Sequence, residues 1–195
     1  MNNHVKKYET VGSCGIDCGL CPRFYTKGNS ACPGCGGLNF KEKHPSCGVF
    51  SCCAVKNGLE ICSECKDYPC KRFEAENVRY DSFVTHQKMF ANLEYIRDYG
   101  IEQFVENQGI RMKILDDLLS NYDDGRSKSF FCISSALLPL DKLQEAHEFV
   151  QKMDSNKALE ERTKALKDFL RNIAHALHIE LKLKQKIKKN EKVNY

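Results

Sequence analysis

The chain has 195 residues, is 42% hydrophobic, and carries a formal net charge of +4. Its mean hydropathy is −0.51, and no stretch reaches the roughly 20 apolar residues that a membrane span needs, so a bilayer-crossing protein is excluded. The charge is too mild to predict a nucleic-acid partner by itself, and the first residues, MNNHVKKYETVG, lack the apolar region of a secretion signal. A cytoplasmic location is therefore expected.

Eleven of the twelve cysteines lie between Cys14 and Cys70, and three pairs have the C-x-x-C spacing of metal knuckles: Cys18/Cys21, Cys32/Cys35 and Cys62/Cys65. A short hairpin of this kind aims two thiolates at one ion, and two hairpins complete the tetrahedron that zinc prefers. In a reducing cytosol such thiols bind metal in preference to forming disulfides. Cys32-Pro-Gly-Cys35-Gly-Gly37 is the sharpest knuckle. Glycine after its second cysteine is expected to turn backbone N–H groups toward sulfur. With Cys18 and Cys21 it makes a first proposed site. Cys62 and Cys65, joined to Cys47 and Cys52, make a second. Cys14 and Cys70 are left at the edges, either as substitute ligands, as a pair around a further ion, or as part of a bridged cluster. Cys53, adjacent to Cys52, is expected to be a free or buried thiol. His44 is a candidate substitute ligand, with an exposed loop histidine between Lys43 and Pro45 as the favoured reading.

Each four-thiolate zinc centre leaves about two negative charges, so two centres would bring the chain near neutrality. Iron–sulfur is the main rival, because Cys14-x3-Cys18-x2-Cys21 can hold three irons of a cubane. Thiolates suit either metal, but the enzymes that use that spacing need a strand-and-helix barrel which this chain does not offer.

After Cys70 the prolines nearly vanish and apolar residues recur at helical spacing. A helix is expected from about Lys71 toward Phe90, with Phe73, Val84 and Phe90 inward. A second carries Leu93, Ile96 and Tyr99, until Gly100 interrupts it before Ile101, Phe104 and Val105. A third runs from about Ile110 to Tyr122 on a stripe of Ile114, Leu115, Leu118, Leu119 and Tyr122, closed by the turn Asn121–Gly125. The run from Phe130 through Leu138 is apolar on all sides and reads as buried, helix or strand; Cys132 within it is a core residue. Asp141 is expected to cap a helix bearing Leu143, Ala146, Phe149, Val150 and Met153. The last helix carries Leu159, Leu166, Phe169, Leu170, Ile173, Leu177 and Leu181 on one face. His86, His147 and the pair His175/His178 belong to no metal motif.

The order CGIDCGLCPRF, CPGC, CGVFSC and GLEICSECKDYPCKRF resembles the cysteine-rich family known as domain of unknown function 3795. The resemblance is close over residues 14 to 73, and the segment from Asn92 through Leu138 looks like a longer branch of the same group. It implies metal binding, chiefly of zinc, through Cys14, Cys18, Cys21, Cys32, Cys35, Cys47, Cys52, Cys62, Cys65 and Cys70. It implies no reaction.

The expected architecture is mainly α. A metal-stapled cysteine module with little regular structure (residues 1–71) packs on a bundle of about five helices (72–195). The expected function is structural zinc binding, with two or more ions supporting a surface for a protein partner. The alternative is an iron–sulfur or thiol-based redox or group-transfer enzyme. The basic tail Lys182–Lys189 offers weaker support for nucleic acid, since no aromatics are interleaved for base stacking.

Overall fold

The computed structural model describes residues 6–74 and 80–185. Among them are seven α-helices, separated by short 3-10 and π turns, and a single isolated β-bridge between Val11 and Asp17. Two are short, α1 (Phe40–Lys43) and α2 (Gly48–Phe50), and lie in the cysteine-rich part. The other five are α3 (Met89–Tyr99), α4 (Ile101–Tyr122), α5 (Lys128–Leu137), α6 (Leu140–Gln151) and α7 (Leu159–Ala176). No helix of the described residues is long and apolar enough to cross a membrane.

The centre of the bundle is α4, which packs against α3, α5, α6 and α7. Its stripe of Ile114, Leu115, Leu118 and Tyr122 is buried with Phe131, Leu143, Leu166 and Leu170. Leu118 is completely enclosed. Leu118→Ala is expected to cost about 2–5 kcal/mol, from lost burial and the cavity left behind. Urea unfolding followed by helical ellipticity measures this; a change below about 1 kcal/mol would contradict the packing.

Gly100, at φ +90, breaks the chain between α3 and α4 as expected. Four expectations need correction. The helix expected from Lys71 is not found among the described residues: a 3-10 turn covers Lys71–Phe73, residues 75–79 lie outside them, and the chain from 80 to 88 is irregular up to α3. Phe73 and Val84 are buried without it, whereas Phe90 is 40% exposed. The helix expected to begin near Ile110 is continuous from Ile101 through Gly109, because tertiary packing outweighs one glycine. Asp141 lies in the first turn of α6; the cap position belongs to Pro139. The last helix stops at Ala176, so Leu177 and Leu181 lie beyond it. The ambiguous apolar run is helix α5, and the Asn121–Gly125 turn is held by the Asp123 and Asp124 carboxylates, which accept from the backbone of Gly125, Arg126 and Ser127.

The cysteine-rich part is fastened to the bundle by apolar and polar contacts. Leu20 enters the bundle core, while Val11, Cys53, Ile61 and Cys62 share a second core with Leu93, Ile96 and Phe104. Asp17 is buried, and its carboxylate accepts from Asn92 Nδ2 at 2.8 Å and Gln108 Nε2 at 2.9 Å. The same amides donate to the Gly15 and Thr10 carbonyls. These bonds fix the Thr10–Cys21 loop on α3 and α4, satisfying groups that would be costly to bury alone.

A candidate metal centre with two cysteine walls

The Cys18–Cys21 and Cys62–Cys65 pairs are tight turns, as their spacing predicts, whereas Cys32–Cys35 bends without a backbone bond between its own two cysteines. In Cys18–Cys21 and Cys62–Cys65 a 3-10 turn brings the second cysteine's N–H onto the carbonyl of the first, at 3.2 and 3.0 Å. In Cys32–Cys35 the turn depends on Gly34, at φ +85, and Cys35 N–H donates to the Glu9 carbonyl at 2.7 Å. The N–H donor to sulfur is not the glycine expected after Cys35. It is Ser13, whose amide lies 3.4 Å from Cys35 Sγ. This donor comes from a segment distant in sequence, so knuckle spacing could not reveal it.

Six cysteines (Cys14, Cys18, Cys21, Cys32, Cys35 and Cys47) line one cavity of about 400 Å³. Five others (Cys52, Cys53, Cys62, Cys65 and Cys70) line a second hollow of about 30 Å³. The structure therefore moves Cys47 away from the expected second set. Cys47 caps α2, its Sγ accepting from Phe50 N–H at 3.5 Å, and the continuous turns of α2 and the π segment Ser51–Lys56 carry Cys52 to the other hollow. Cys14 joins the first wall and Cys70 the second.

Cys53, which spacing set aside, is 4% exposed and in hydrogen-bonding reach of Cys62. Cys52 and Cys53 are adjacent in the π segment Ser51–Lys56 and both line this hollow. Among the described residues no three Cys, His, Asp or Glu side chains are gathered closely enough to hold an ion as they stand.

Two histidines face the larger cavity. His44 is only part exposed and stacks on Phe40, with ring centroids 4.6 Å apart. His86 is held below its usual range by burial, against an opposing effect of Asp81, and is therefore a neutral imidazole at pH 7. Its Nδ1 is buried without a hydrogen-bond partner. Neither lies in a motif, and only the fold brings them to the cysteines. His175 and His178 are exposed, and His147 bonds Asp117 at 3.0 Å.

Burial dominates the electrostatics. It pushes the Cys14 thiol up to about 12 and raises Cys18, Cys21 and Cys35, with neighbouring sulfurs adding to the rise. In the Cys53–Cys62 pair the shared hydrogen bond lowers Cys53 and raises Cys62. Such thiols release their protons only to a cation that replaces them, so metal loading is a proton-releasing step. All twelve thiols are unpaired. The donor set, sulfur with nearby imidazole nitrogen, fits zinc or iron–sulfur chemistry and not a hard oxygen-seeking cation.

Cys132 stands on α5, buried, and is pushed up to about 12, first by burial and then by Cys21. An unfolded thiol ionises near 9.0. Stability from this thiol is therefore complete below pH 9 and is lost as pH rises toward 12. The urea midpoint of the wild type is expected to fall more steeply over that window than that of Cys132→Ala. Parallel slopes would contradict it.

Residues 10–75 match the model of a family described as protein of unknown function (DUF3795). All eleven clustered cysteines lie within that match, and Cys132 lies outside it. No curated protein and no solved structure matches the chain.

Proposed function

We propose, from the premise that residues 10–75 are a segment of the DUF3795 family, that this segment is a metal-binding module with two separate thiolate centres. The observation that carries the reading is the division of the eleven clustered cysteines between two walls, six on one and five on the other. Zinc is the metal, its role is structural, and a reducing compartment such as the cytoplasm keeps the thiols available. The module then holds a surface for a protein partner. Leu38, Val55 and Phe83, each at least 45% exposed, support such a contact. The basic tail supports nucleic acid less, and residues 186–189 of it lie outside the described residues.

The walls can be separated by mutation. Cys21→Ser with Cys35→Ser is expected to remove the metal of the larger cavity alone. Cys62→Ser with Cys65→Ser is expected to remove that of the smaller hollow alone. Loss of all metal from either pair, in protein whose helices remain folded, would refute two independent centres.

A second reading applies to the larger cavity. Its volume of about 400 Å³ and six sulfurs exceed what one four-coordinate ion uses, which favours an iron–sulfur cluster there. Anaerobically purified protein that is brown, with visible absorption lost in Cys21→Ser/Cys35→Ser, would establish this reading over zinc; colourless protein holding zinc would exclude it.

A further inference from the structure

Lys6 is the most completely buried charge in the described residues: the residue is 1% exposed and its side chain 0%. A buried ammonium is costly unless negative charge lies close by. Its Nζ donates to the Val11 carbonyl at 2.8 Å, and the nearest carboxylate, Glu60, is 4.0 Å away. Among the described residues, one neutral acceptor and one distant carboxylate are a poor match for three donors.

The surroundings of Lys6 are the cysteine walls. Its backbone N–H donates to Gly36 O at 3.1 Å, next to Cys35, and its stem passes so close to Gly36 that a Cβ there would come within 2.8 Å of Lys6 Cγ. Val11, its acceptor, begins the segment that runs between the walls. Ser13 of that segment donates to Cys35 Sγ on one side, and its carbonyl accepts Cys62 N–H at 2.8 Å on the other. The field of Lys6 acts on Cys18 and Cys35 of the larger cavity and on Cys53 of the smaller hollow, in each case favouring the thiolate.

We propose that Lys6 is the buried counter-cation shared by the two thiolate centres, offsetting the surplus negative charge that each gains when it binds metal. This rests on the metal-binding reading above. Four thiolates around a dication leave a double negative charge, and two such centres in one small module repel each other through a medium that screens weakly. A fixed positive charge between them favours filling both.

The test is zinc(II) binding to the full chain, by competition against a chromophoric chelator, in wild type and Lys6→Met. Methionine keeps the apolar stem and removes the charge. The expected result is a fall in zinc affinity of about tenfold or more at both centres, with no loss of urea stability in the metal-free protein, whose remaining fold is the helical bundle. Unchanged affinity in a folded Lys6→Met overturns the proposal while leaving the metal reading intact. A wild type that binds no zinc overturns both.

If Lys6→Met does not fold, Lys6→Gln is measured by the same criterion. Failure of both neutral variants to fold even with excess zinc present would also overturn the proposal, since the lysine would then be a structural plug.

Discussion

Stripping metal with a strong chelator is expected to unravel residues 14–70 while α4 to α7 keep their helical signal. The asymmetry follows from what each part buries. The bundle has a continuous core around Leu115, Leu118, Phe131 and Leu166, all fully enclosed. Among the described residues the cysteine-rich part has a separate core of Cys35, Phe40, Phe50 and Ala54, two short helices and a series of tight turns, and it buries Val11, Cys53, Ile61 and Cys62 in a core shared with α3 and α4.

So small a core does not outweigh the entropy of ordering such a loop-rich chain. Zinc bound by thiolates supplies on the order of 10 kcal/mol or more of folding free energy, and its loss is correspondingly severe. Limited proteolysis of chelated protein should cut first within 14–70 and leave a resistant fragment containing α4 to α7. Unchanged protection of both parts would show that the module does not depend on metal.

The second large effect is at Gly34. Its φ of +85 is strained for any residue with a side chain, and an added Cβ would lie 2.3 Å from the Glu9 carbonyl oxygen, against backbone that cannot swing aside. That carbonyl accepts the Cys35 N–H, so the clash falls on the bond that sets the knuckle. Gly34→Ala should cost about 2–4 kcal/mol and displace Cys35 from the larger wall. Gly28→Ala, at a φ of +80 but in open space, carries the strain without the clash and should cost less. Equal effects of the two substitutions would show that close approach does not matter at Gly34.

The sequence revealed what depends on local pattern. Apolar periodicity marked α4, α6 and α7, because each buries one stripe against the rest. Gly100 marked the break before α4 because a positive φ favours glycine. The Cys18–Cys21 and Cys62–Cys65 knuckles were legible for the same reason, since each turn is closed between neighbours, whereas Cys35 is held by Glu9.

The content of each wall was not legible, because it is set by contacts distant in sequence. Cys47 and Cys52 are five positions apart yet face different hollows, owing to the turns of α2 and the π segment between them. Cys53 is a free, buried thiol as its place beside Cys52 led one to expect, but its position in the smaller hollow is set by the fold. The burial of Lys6 depends on the loop carrying Gly36 and on Val11. The stretch from Lys71 to Phe90 misled because Phe73 and Val84, eleven residues apart, fit one face of a helix, while Phe73 packs from a 3-10 turn and Val84 from irregular chain.

Protein purified without oxygen, assayed for metal per chain and for sulfur ligation by X-ray absorption at the metal edge, tests the account most directly. The expected result is about two metal centres per chain with sulfur as the dominant ligand. Metal-free protein with all twelve cysteines free to react once unfolded, or joined as disulfides, would contradict it.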